Sequence, residues 1–155
     1  MIEQLVEKRI MEKLDAALKA ANVEGVEVVG AWQPSAAGTV KATESAALGY
    51  LTVKVNPREY DGYLTKGCAL SCTVELDVRA ESDANGANYL AITDALANTL
   101  FRWHDAVENV VADFSNIDGF DPVGFRLDGG EVGVDKTAAV WTYLHNFTLR
   151  GVITR

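Results

Sequence analysis

The sequence predicts an α+β protein: a mainly antiparallel sheet of about five strands with two helices packed on one face, in the order α-β-β-β-α-β-β. Three observations carry this. The stretch ALSCTVELDVRAE, residues 69–81, alternates apolar and polar side chains without a slip, as a strand with one buried and one wet face does. Two longer segments, 2–21 and 86–114, repeat their apolar residues at three- and four-residue steps, the helical period. Most of the strands follow one another without an intervening helix, which favours antiparallel pairing.

In the first helix Ile2, Leu5, Val6, Ile10, Leu14, Ala17, Leu18 and Ala21 form the apolar stripe, and Glu3, Glu7, Lys8, Glu12, Lys13 and Lys19 fill the other side. Gly25 is a plausible stop. A strand follows in VEVVGAWQ, 26–33. Residues 34–47, PSAAGTVKATESAA, are almost wholly small or polar, too poor in apolar side chains to pack, and are expected to form a long mobile loop. The strand GYLTVKV, 49–55, places Leu51, Val53 and Val55 on one face and ends before Pro57. On the strand 69–81, Leu70, Cys72, Val74, Leu76 and Val78 face one way; Ser71, Thr73, Glu75, Asp77 and Arg79 face the other.

The second helix, 86–114, has capping candidates in Ser82, Asp83 and Asn85. Its stripe is Tyr89, Ile92, Leu96, Leu100, Trp103, Val107, Val110 and Phe114, with a break expected near His104–Asp105. Leu90 and Phe101 share a face roughly 130° from that stripe. They are expected to be exposed in a monomer and are candidates for a contact with another subunit. A loop at SNIDGFDP, a short strand at VGFRLDGG and a long final strand, 139–153, complete the chain. On the final strand Trp141, Tyr143, His145, Phe147, Leu149 and Ile153 share one face.

The 155 residues fit one domain, 1–155, large enough to bury a core without staples. Fourteen Lys and Arg against 22 Asp and Glu give a net charge of −8, which removes the phosphate-neutralising term of nucleic-acid binding. No apolar run approaches the ~20 residues of a membrane span. The first residues are charged and amphipathic, unlike a secretory signal, so the chain is expected to remain in the cytoplasm where it is made. Cys68 and Cys72 form neither a C-x-x-C nor half of a zinc site and are expected to be reduced thiols.

Glu75 and Asp77 are the best carboxylate pair, since i and i+2 on a strand point the same way. With His145 they could serve a small hydrolase or a metal-dependent enzyme. Thr73 and Arg79 continue the same row, however, as on any solvent-facing antiparallel sheet. Around Gly119 a calcium loop fails, because Phe114 and Phe125 fall where Asp and Glu are required. No G-x-S-x-G elbow, G-x-G-x-x-G or phosphate loop is present. The sequence thus assigns no catalytic, cofactor-binding or metal residue. It leaves open a small ligand-binding domain with the 34–47 loop as a lid.

The layout as a whole resembles the tail-terminator (tail-completion) proteins of tailed bacteriophages. The cues are the strand LSCTVELDVRAES running straight into the helix NYLAITDALANTLF, and the late aromatic strand AVWTYLHNFTLRGVI. The resemblance covers most of the chain and is one of pattern rather than signature motif. It implies a non-enzymatic virion protein at the tail–neck junction, acting as a homohexameric ring. Its implied partners are itself, the tail-tube protein, neck or head-completion proteins and the sheath where there is one, with DNA passing through the lumen without specific binding. On that reading Leu90 and Phe101 belong to the subunit interface. Glu75, Asp77 and Glu81 form an acidic face toward the lumen or a neighbouring subunit.

Overall fold

The computed structural model describes residues 1–32, 49–60, 66–79, 86–135 and 140–154. Among these, three helices, α1 (Ile2–Ala20), α2 (Ala87–Asp105) and α3 (Val107–Phe114), accompany six strands: β1 (Val26–Gly30), β2 (Gly49–Val55), β3 (Glu59–Tyr60), β4 (Gly67–Arg79), β5 (Phe120–Asp135) and β6 (Val140–Ile153). The sheet order is β1-β2-β4-β6-β5, with β3 also pairing with β4. All pairings are antiparallel except β1–β2, which is parallel. This is the α+β architecture the periodicities predict, with one strand and one helical segment more than expected.

β4 is the axis of the sheet. Its Leu70, Cys72, Val74, Leu76 and Val78 are all at most 2% exposed and meet Leu51, Val53 and Val55 of β2 in the core. Register sets Leu149, Phe147 and Tyr143 of β6 beside Leu70, Cys72 and Leu76 on the same inner face. The helices close that face with Val6, Ile10 and Leu14 of α1 and with Ile92, Leu96, Leu100 and Trp103 of α2. Trp103 is the aromatic hub: its ring lies 4.9 Å from that of Phe114 and 5.8 Å from that of Phe125.

Four local readings shift. β1 ends at Gly30 rather than residue 33, because the chain leaves the ladder once Ala31 N–H has bonded to Val53 O at 3.0 Å. The segment read as a short strand at 123–130 is part of the 16-residue β5, in which Gly129 makes a bulge at φ +143 instead of ending the strand. The helical segment 86–114 divides at Ala106, one residue past the expected break. α2 begins after Gly86, whose φ of +72 suits a residue without a Cβ; Ser82, Asp83 and Asn85 lie outside the described residues, as does the 34–47 loop.

The last difference concerns α1. Glu3 and Glu7, expected on its polar side, are 4% and 0% exposed. Glu3 takes both Nε and Nη2 of Arg58, at 2.7 and 2.9 Å. Glu7 accepts the backbone N–H of Trp32 at 2.8 Å and that of Val55 at 3.4 Å, while the Trp32 indole donates to Val55 O at 2.6 Å. These carboxylates therefore tie the helix to the segments after β1 and β2.

Candidate assembly surfaces

The helices cover one face of the sheet; the other is lined by polar side chains. β2 contributes Tyr50, Thr52 and Lys54, β4 contributes Ser71, Thr73, Glu75, Asp77 and Arg79, and β6 contributes Thr142, Asn146, Thr148 and Arg150. Cross-strand pairs knit it: Thr73 Oγ1 lies 3.0 Å from Asn146 Oδ1, and the Thr148 hydroxyl donates to Asp128, which also receives Arg126 Nε at 2.6 Å. Burial pushes the Asp128 carboxyl up, but the bonds from Thr148 and Arg126 and the Arg126 charge outweigh it and hold it below its usual range.

Within this face Glu75 is exposed and Asp77 half-buried. Glu75 stands between Thr52 and Leu144, Asp77 between Tyr50 and Thr142. Glu81 lies outside the described residues. His145 pairs in register with Val74, so its ring projects to the inner face, through the sheet from the two carboxylates. The constellation of Glu75, Asp77 and His145 considered for a small enzyme does not converge. Among the described residues no group of three or more His, Cys, Asp or Glu could hold a metal ion.

His145 borders a shallow open cleft of ≈ 440 Å³ at the β5 bulge, with Leu127, Gly129, Gly130 and Tyr143. Its ring stacks at a tilt 5.2 Å from Tyr143, its Nδ1 is buried without a hydrogen-bond partner among the described residues, and burial lowers its pKa from 6.5. Tyr143 is pushed up to about 12 by burial and then by Tyr89. His104 is exposed. Cys68 and Cys72 are both buried and form no disulfide among the described residues, and burial drives the Cys72 thiol upward, away from the reactive thiolate.

The helical layer carries the second surface. Leu90 and Phe101 are 58% and 49% exposed, so nothing among the described residues of the same chain covers them. Val107 and Val111 on α3 are exposed to a similar degree, 47% and 44%. The stripe expected to be buried therefore holds along α2 and fails on α3 at Val107. Sequence periodicity missed this because it assumes one straight axis; the only hint was the break itself.

Among the described residues these features define a two-layer α+β fold with a polar sheet face left open and apolar side chains left on its helices. The same fold occurs in a chain of the solved structure "Virion of native gene transfer agent (GTA) particle", with a TM-score of 0.52 at 15% identity, over 92% of this chain and 93% of that one. No protein-family model matches the sequence, and no curated protein matches it.

Proposed function

We propose that the chain is a structural subunit of a virion, a tail terminator that forms a homohexameric ring on the end of the tail tube. The observation that carries the reading is the end-to-end fold likeness to a chain of a virion particle. The two surfaces suit a ring. Closed rings need heterologous contacts between different patches of one chain, and the exposed Leu90 and Phe101 offer an apolar patch for one side of such a contact. The open sheet face, where Glu75 and Asp77 stand beside Lys54, Arg79 and Arg150 and Glu81 is expected to add a third carboxylate, supplies a charged polar wall toward the lumen or a neighbour.

In this role the ring docks on the last tube ring, masks its growing face and presents a new surface to the neck or head-completion proteins. Six copies at −8 each carry −48, and that net like charge removes the phosphate-neutralising surplus that would make DNA stick. The work is templated assembly and requires no turnover. Native mass spectrometry and electron microscopy of the protein with tail tubes of the same virion test it. Hexamers at tube ends are expected. Spontaneous growth into long tubes would reassign the chain to a tube subunit, and a monomer that ignores tube ends would refute the proposal.

A further inference from the structure

No further inference is drawn: the strongest candidate, the shallow cleft at the β5 bulge beside His145, carries nothing, because the imidazole Nδ1 that lacks a hydrogen-bond partner among the described residues is buried rather than open to the cleft, and nothing in the structure shows what would occupy it.

Discussion

The carboxylates of α1 and those of β4 occupy opposite environments. Glu3 and Glu7 sit under the helix, almost wholly shielded and engaged by Arg58, Trp32 and Val55. Glu75 is exposed and Asp77 half-buried on an open sheet face. The difference comes from backbone accounting. Where the sheet gives way to loop, the amides of Trp32 and Val55 bond to Glu7, so a charged side chain is drawn inward. In the middle of β4 the ladders to β2 and β6 satisfy the backbone, so its outward side chains are left to the surface.

The sharpest way to break this contrast lies across β4 itself. Leu76 is fully buried, and Leu76→Ala should cost about 2–5 kcal/mol in urea unfolding, while Glu75→Gln next to it should change stability by less than about 0.5 kcal/mol. Equal costs would mean that the outer face is packed and not open. On α1, Glu7→Ala is expected to cost about 1–3 kcal/mol, because two amides lose their acceptor, with Glu7→Gln losing less. The same urea titration decides it.

Acid titration follows with smaller effects. Burial raises the Glu3 carboxyl, but the hydrogen bond and charge of Arg58 more than reverse that, leaving it below 4.5. Its stabilising contribution is complete above that unfolded value and fades as pH falls through the folded one. Glu3→Gln should therefore lose less stability than the parent below about pH 4.5. His145 acts in a higher window. Burial favours its neutral ring, so the fold is penalised as pH drops below 6.5, and His145→Gln should flatten the stability profile just below that pH. An equally small effect on stability belongs to charge reversal at the exposed Glu75, Glu75→Lys, expected to shift unfolding by less than about 0.5 kcal/mol while disturbing assembly.

What the sequence revealed divides along the same line. A period of two on β4 predicted each inward and outward residue, because register on a sheet admits no intermediate answer. The stripe of α2 was equally legible, and so was the exposure of Leu90 and Phe101. The inward turn of Glu3 and Glu7 was not, since helical periodicity sorts residues by polarity and cannot see a sheet edge short of acceptors. The parallel pairing of β1 with β2 is set by the route of the chain rather than by either strand. β5 was cut short because Gly129 and Gly130 read as a turn, whereas a bulge uses the same glycine to twist the strand and continue.

The central claim, that the open face and exposed helix residues belong to a ring built on a tube, is tested most directly by electron microscopy of the protein mixed with tail tubes of the same virion. The account predicts six-fold rings capping tube ends, lost when Leu90 and Phe101 are both changed to aspartate in a chain that still folds. Bare tube ends beside monomeric wild-type protein would contradict it.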